Sequence, residues 1–538
     1  MGRPLVDAQL SRRELLRLGV IGAAGSTLRL VQRSSVLPAR VATKVPSRLP
    51  DIQHDIGDFI APAETIDGVA FRFGPVFTRF VTARLLRVPT HDDQKALAGA
   101  LDRIEEAYPF SPEGVFTFVG YGIPYFRLLP RGLAREHVSR LADDPARFAL
   151  EEAVPSPTDV SFRSRAVKQR YNVPVRIESN HLLFTIRSDR LRNAIDVEAW
   201  LGGSNSLRGR RVASPPLDDL ILLNPARVMF AQRGMPRRIA EGAGLPYANR
   251  IHPDSPMWMG FADQQVSGSG PTAITTFRGN SSARLTTAAG GDYFDNAAIQ
   301  HLSHVLLDLD QFYLESRGNS ANGSQNDEAL RAPRPPRPLG GLRNQSNDQS
   351  GSNDQSESGS ADAERDETFF ERVQYMFRSA PPPSRGNLDQ FTDGGGPAFF
   401  ENEFRGVDDA ERAARGVGTP ENKPRIGHLS ALQRSSRAAD STPIHIRMDG
   451  PGYDPMDVPD GSTLPKLQFS IFVPTAEFFA RMRSNQASLD LARAHRVADD
   501  DQGIERFITT TRRQNFLVPP RRHRSFPLVE FAERGRLI

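Results

Sequence analysis

The stretch KLQFSIFVPTAEFFARMR, residues 466–483, is the part of the chain that best indicates its fold. Its first half is rich in aromatic and β-branched residues, which favour a strand. Its second half consists mostly of residues that are tolerated well in helices. The stretch therefore predicts a strand that runs directly into a helix, as expected in an α+β unit.

Strand and helix patterns of the same kind occur in the first half of the chain. The run FRFGPVFTRFVTARLLRV, which starts at Phe71, predicts a strand, and so do residues 114–120 and 181–189. Apolar residues at helical spacing predict helices over Asp92–Tyr108 and Leu191–Leu201. Strand–helix–strand units mixed with hairpin-like pieces indicate an α+β module of the ferredoxin-like type, with an antiparallel sheet.

A second module of this type follows the first. The strand–helix stretch quoted above is preceded by GGDYF at 290–294 and by HLSHVLLDLDQFY at 301–313. We therefore predict an N-terminal module over 46–255 and a C-terminal module over 256–538, arranged as in a dimeric α+β barrel. Within the second module, residues 316–366 are almost devoid of apolar side chains, and this composition predicts a disordered insert.

The composition of the chain excludes several classes of protein. It has 538 residues and no cysteine, which rules out disulfides, cysteine zinc sites, thiolate nucleophiles and cysteine-held iron–sulfur clusters. The net charge is +4, and the basic residues are spread along the chain rather than gathered in an arm, which argues against nucleic-acid binding. No stretch reaches the run of about 18 apolar residues that a membrane span requires.

The N-terminal segment LSRRELLRLGVIGAAGSTLRL, residues 10–30, has the pattern of an export signal. Ser11-Arg12-Arg13 is followed by a weakly apolar run with small residues, which is typical of a twin-arginine signal. A short amphipathic helix with two exposed arginines is the alternative. We predict a signal and linker over 1–45, with linker character over residues 31–50. We also predict transport of the folded chain by the twin-arginine translocase to the periplasm, cell surface or exterior.

Three short segments contain residues suited to chemistry. They are Trp258–Asp263, in which an Asp follows a glycine-containing turn, Arg425–Leu429, and Ile444–Tyr453. Taken singly, each has an ordinary explanation, because Asp is common in turns and a lone His or Arg is usually structural. Their order and spacing give them more weight, since His428 and Arg447 lie close together in the sequence.

Together these segments resemble the dye-decolourising (DyP-type) haem peroxidases. Gly260-Phe261-Ala262-Asp263 is similar to the Asp turn of that family, Gly427-His428-Leu429 to its axial-histidine segment, and Ile446-Arg447 to its catalytic arginine. The resemblance extends to Gln232-Arg233-Gly234, to LPKLQFSIFVPTAEF and to IERFITTTRRQNFLVPP near the C-terminus.

The resemblance implies a peroxidase that holds haem b through iron coordinated by His428. Asp263 would move a proton between the two peroxide oxygens, and Arg447 would stabilise the charge that develops on the leaving oxygen. The implied partners are hydrogen peroxide and an organic reductant, and a homo-oligomer is possible. Since the chain has no cysteine, a haem ligand has to be His, Met or Tyr.

Two positions depart from the family pattern. Gln264 stands where the family has a glycine after the Asp, and Asp449 stands where many relatives carry Asn. The first departure keeps open a haem-binding or haem-handling protein that is not an enzyme. A secreted α+β interaction module that has lost haem is a third possibility.

Two further histidine assignments compete with this site. His445 could be the axial ligand, but strand alternation would then place it on the same face as Arg447, whereas the ligand and the distal arginine lie on opposite faces of a haem. His301 and His304, with Asp308 and Asp310, could mimic a metal site on one face of a helix. In the family, the matching segment is structural.

Overall fold

The structure is a computed structural model of the whole chain. It describes residues 25–38, 48–62, 64–66, 69–71, 73–159, 171, 173–251, 253, 255–259, 275–281, 285–314, 407–417, 422–426, 434, 445–498 and 501–532. The twin-arginine residues Arg12 and Arg13 and the predicted insert at 316–366 lie outside these ranges.

The first module has the ferredoxin-like strand order. Its main elements are β1 (Phe77–Leu85), α1 (His91–Ala107), β2 (Phe116–Tyr121), β3 (Leu182–Ser188), α2 (Leu191–Leu201) and β4 (Arg227–Phe230). The strands lie in the order β4-β1-β3-β2, and each pair is antiparallel. The helices begin and end within a residue of the predicted bounds, because capping and apolar periodicity are local signals.

The second module repeats this order. It contains β5 (Ala298–Leu307), β6 (Ile446–Arg447), β7 (Gly450–Asp454), β8 (Leu464–Val473), α3 (Ala476–Ala487) and β9 (Ile508–Val518). Here the strands lie in the order β9-β5-β8-β6, with β7 continuing beside β8. The second strand of the module is thus split into two short pieces. The predicted fold class, two ferredoxin-like modules with antiparallel sheets, is confirmed.

The two sheets join into one structure that closes on itself. Tyr121 of β2 pairs with Leu517 of β9, which links the modules on one side. On the other side, a Cβ atom at Gly452 in β7 would lie 2.9 Å from the carbonyl oxygen of Val228 in β4. This close approach requires glycine, and it brings the two outer edges together, so the molecule is an α+β barrel.

Side chains on each strand alternate between the barrel interior and the surrounding helices. One apolar cluster fills part of the interior and includes Phe80, Phe118, Leu183, Met229, Leu302, Phe472 and Phe516. Their sequence neighbours, such as Val81, Val119 and Ile471, instead pack with α1, α2 and α3 in a second cluster. Within one strand, the side of the sheet that a residue faces therefore follows from its position relative to a neighbour of known side.

Within the described ranges, no helix is long and apolar enough to cross a membrane. Shorter elements lie between the main strands and helices of the barrel. They are Gly57–Phe59, Glu64–Ile66, Val69–Phe71, Ile123–Leu128, Leu133–His137, Arg176–Ile177, Ser206–Leu207, Arg210–Arg211, Ile221–Leu223, Met235–Ala243, Ala248–Arg250, Phe277–Ser281, Leu309–Leu314, Val407–Ala414, Leu489–Ala494, Glu505–Phe507, Arg521–His523 and Val529–Ala532.

Two sequence expectations are wrong. Residues 31–50 were expected to form a linker, yet Val31 is buried against Met235 and Ile239 in an apolar cluster. The helical arrangement considered for His301 and His304 is also wrong, because both residues lie on strand β5. That strand is buried on both faces, and a continuous apolar run does not distinguish a strand from a buried helix by its period.

Candidate functional site

Arg447 lies on β6, the first piece of the split strand in the second module. Ile446 pairs with Phe472 of β8, and Arg447 pairs with Ile471. Phe472 belongs to the interior cluster, whereas Ile471 packs on the helix side. Arg447 therefore projects from the outer face of the barrel, between the sheet and the layer that covers it.

Arg447 is a half-buried cation. Burial lowers its pKa, and the charge of Asp449 acts in the opposite direction. A guanidinium stays charged in proteins even when its pKa falls. A cation that has lost water in this way interacts strongly with negative charge that develops nearby.

His445 directly precedes β6 and is 1% exposed. Since Ile446 faces the interior, alternation places His445 on the same side of the strand as Arg447. The structure thus agrees with the sequence argument about the relative position of these two residues. His428, the predicted axial ligand, lies outside the described residues.

The segment that leads to His428 is attached to the second module on both sides. Before it, the amide of Ile426 donates to the carbonyl oxygen of Asp501, and Arg425 lies 3.4 Å from an Asp501 carboxylate oxygen. After it, Arg434 donates to both carboxylate oxygens of Asp490, at 3.0 and 2.8 Å. Asp490 and Asp501 could not be recognised as anchors from sequence, because each is separated from its arginine by more than fifty residues.

Trp258, which precedes Asp263 in the sequence, is attached to β7, the strand that follows β6 in the chain. The indole nitrogen of Trp258 donates to the carbonyl oxygen of Gly452 at 2.9 Å. The hydroxyl of Tyr313 donates to the carbonyl oxygen of Trp258 at 2.7 Å. Asp263 and Gln264 lie outside the described residues, which end at Met259 in this part of the chain.

The histidine pair of β5 is not a metal site. Alternation sends His301 to the helix side, where its ring stacks on Phe479, and sends His304 to the barrel interior. Among the described residues, no group of three or more His, Asp or Glu side chains could hold a metal ion. Asp308 instead accepts a hydrogen bond from the amide of Gln311 at the start of a short helix.

Comparison with known proteins gives three findings. A family of unknown function (DUF7405) matches residues 144–322. No curated protein matches the chain. Solved structures of DyP-type peroxidases do match it, and these are the proteins that the sequence motifs resemble.

The structural matches are broad but distant. The encapsulated DyP-type peroxidase from Mycobacterium smegmatis is 12% identical, with a TM-score of 0.40, over 86% of this chain and 96% of that chain. A dye-decolorizing peroxidase from Bacteroides thetaiotaomicron is 11% identical, with a TM-score of 0.40, over 88% and 98%. A DypB variant from Rhodococcus jostii in complex with heme is 10% identical, with a TM-score of 0.40, over 84% and 96%. TM-scores of this size are too low to establish the fold, so the fold assignment rests on the strand order of the chain itself.

Proposed function

We propose that the protein is a haem-dependent peroxidase of the DyP type, which reduces hydrogen peroxide and oxidises an organic substrate. The observation that carries the proposal is the position of Arg447. It is a half-buried cation on the outer face of the second ferredoxin-like sheet, and Trp258 and Arg434, which flank the segments of Asp263 and His428, form hydrogen bonds within the same module.

The donor set of the chain fits haem b. With no cysteine in the chain, the ligand has to come from another side chain, and His428 is the residue that the motif assigns to it. When bound, haem supplies the iron that takes up hydrogen peroxide. The half-buried guanidinium of Arg447 fits the polar side of such a site, which needs a fixed positive charge.

The protein side chains would then handle the proton and the charge of the reaction. An ionised Asp263 accepts a proton from one peroxide oxygen and donates it to the other. Arg447 stabilises negative charge on the departing oxygen, and it also favours the ionised form of a nearby carboxylate. Asp449 partly offsets that positive charge, so Asp449→Asn should strengthen the effect of Arg447.

The absorption spectrum of the purified full-length protein tests haem binding. We expect a Soret band that His428→Ala abolishes and that the matched variant His445→Ala retains. Loss of the band only in His445→Ala would show that His445, and not His428, is the ligand. A protein that takes up no haem, even on reconstitution, would leave the interaction-module alternative.

A non-enzymatic haem protein is the second candidate, and Gln264 is the feature that favours it. Glutamine adds bulk where the family has glycine, at the residue after Asp263. Peroxide-driven dye oxidation that is no faster than that of free haem would support this candidate. If Gln264→Gly then raises the rate, the bulk of the glutamine limits an otherwise intact site.

We also propose export by the twin-arginine route, on the basis of Arg12 and Arg13. Replacement of both by Lys should retain the chain in the cytoplasm while leaving its haem content unchanged. Cell fractionation measures this. Equal export of the variant would contradict the proposal.

A further inference from the structure

The barrel interior has one apolar end and one charged end. On β8, the residues that face the interior run from Lys466 and Gln468 through Ser470 to Phe472. Phe472 belongs to the apolar cluster, whereas Lys466 lies at the opposite end of the strand. The charged end contains no residue used by the proposed peroxidase site, which lies outside the barrel.

Cationic side chains at this end are graded by burial. The side chain of Arg176 is 59% exposed, that of Arg512 is 23% exposed, and that of Arg227 is 3% exposed. Lys466 is 0% exposed. The cations therefore form a series from solvent to the interior, which is the arrangement that draws an anion inward.

Two carboxylates pair with the arginines of this series. Glu178 forms ion pairs with Arg227 and Arg512. Asp457 accepts two hydrogen bonds from Arg512, at 2.6 and 2.5 Å, and lies 3.7 Å from Arg176. Three arginines thus face two carboxylates, and one positive charge is left over.

The deepest part of this end contains polar atoms that have no hydrogen-bond partner within the described ranges. They are Nζ of Lys466, Nη1 of Arg227 and Oδ2 of Asp454, and all three are buried. An ammonium carries three N–H donors and a guanidinium Nη carries two, whereas one carboxylate oxygen only accepts. These buried atoms therefore offer more hydrogen-bond donors than acceptors, so a group bound here would have to accept several hydrogen bonds.

His304 lies next to these atoms without supplying the missing acceptor. Its Nε2 is 3.9 Å from Asp454, and its Nδ1 interacts with the side chain of Gln468. Burial lowers the pKa of His304, the charge of Asp454 opposes this, and the charges of Arg227 and Lys466 act with burial, so the environment favours the neutral ring. The local charge thus remains four cations, including Lys466, against the three carboxylates of Glu178, Asp454 and Asp457.

We propose that the charged end of the barrel binds a compact monovalent anion, of the size of chloride or formate, between Lys466 and Arg227. The anion enters past Arg176 and Arg512 and accepts hydrogen bonds from the two buried cations. It neutralises the single excess positive charge, which burial would otherwise make costly. This site is independent of haem.

Bromide serves as the probe for crystallography, because it replaces chloride and scatters anomalously. Crystals of the full-length protein grown in sodium bromide should show a peak beside Nζ of Lys466 and Nη1 of Arg227. Lys466→Met should lose that peak and keep any surface peaks. A water molecule at this place, or bromide at the surface alone, would overturn the proposal.

Thermal unfolding gives a second test in solution. Sodium chloride replaces sodium gluconate at constant ionic strength, so that general screening does not change. We expect a saturable rise in Tm of about 2 °C, because an anion bound to the folded state stabilises it. Lys466→Met should abolish the rise, and Lys95→Met, which removes an exposed charge, should retain it. An equal rise in both variants, or none in the parent protein, would contradict the site.

Discussion

The two modules have the same strand order but differ at one corresponding position. Ile186 and Ile471 both lie two residues before the end of the third strand of their module. On the second strand of each module, the residue paired with Ile186 is Thr117, whereas the residue paired with Ile471 is Arg447. The barrel therefore accepts either a small side chain or a cation at this position, and in the second module the cation is the residue to which we assign a catalytic role.

The two modules also differ in the length of the connection after their first strand. In the first module, a single helix, α1, joins β1 to β2. In the second module, the chain between β5 and β6 extends from residue 308 to residue 445 and includes the candidate ligand His428. The connection in the first module is thus short, whereas the longer connection in the second module contains one of the three candidate site residues, His428.

The largest expected effect is that of Arg447→Ala on turnover. Removal of a charge that stabilises the transition state should lower kcat/KM for peroxide about 10²–10³-fold, with the haem spectrum unchanged. Thr117→Ala, at the corresponding place in the first module, should leave turnover unchanged. Stopped-flow measurement of peroxide reduction checks both. Equal rates in the two variants would remove the functional distinction between the modules.

The next effect concerns Lys466, whose counterpart in the first module is His181. Burial lowers the pKa of Lys466 from its ordinary 10.5 to about 8. Between these pH values the unfolded chain binds more protons than the folded chain, so the free energy of unfolding rises with pH, by up to about 3 kcal/mol. Lys466→Met should lack this rise.

Urea unfolding in gluconate buffer, where no small anion raises the pKa of the ammonium, measures the pH dependence. Lys95→Met provides the control, because that lysine is exposed. Parallel pH profiles for the parent protein and Lys466→Met would show that the ammonium does not titrate in this range.

The sequence allowed prediction of those features that depend on neighbouring residues. The bounds of α1 and α2 follow from caps and apolar spacing, and the two ferredoxin-like modules follow from the order of such elements. The strand β5 was harder, because both of its faces are buried and its period is ambiguous. His301 and His304 consequently could not be assigned to opposite faces.

Features that depend on distant residues could not be predicted. The seam between Gly452 and Val228 joins positions far apart in the chain, and neither residue type indicates which residue it will contact. The charged barrel interior was missed for the same reason, since alternation shows that Lys466 faces one side without showing what lies there. Asp263 and His428 remain predictions from motif resemblance.

The seam gives the third prediction. Gly452→Ala places a Cβ atom 2.9 Å from the carbonyl oxygen of Val228, and this oxygen belongs to the backbone of β4. We expect a loss of about 2 kcal/mol in the free energy of unfolding. Gly99→Ala meets no atom within 4 Å inside α1 and should instead stabilise by about 0.5–1 kcal/mol. Denaturant unfolding of both variants tests whether the barrel closes here.

The smallest expected effect concerns the N-terminal caps of two helices, α1 in the first module and α3 in the second. In α1, Thr90 and Asp93 form a reciprocal capping box, and Arg87 holds the pKa of Asp93 at about 2. In α3, Thr475 accepts one hydrogen bond, from the amide of Phe478 at 3.4 Å. Thr90→Ala should therefore cost about 1 kcal/mol and Thr475→Ala about 0.5 kcal/mol, since the Thr90 hydroxyl accepts from the amide of Asp93 and also donates to its carboxylate, whereas the Thr475 hydroxyl accepts one amide hydrogen bond. Because the folded pKa of Asp93 is depressed, its contribution is present above pH 4 and is lost as the pH falls towards 2. Acid unfolding should accordingly begin at a higher pH in Asp93→Asn than in the parent protein, and coincident acid transitions would show that the box adds nothing to the first module.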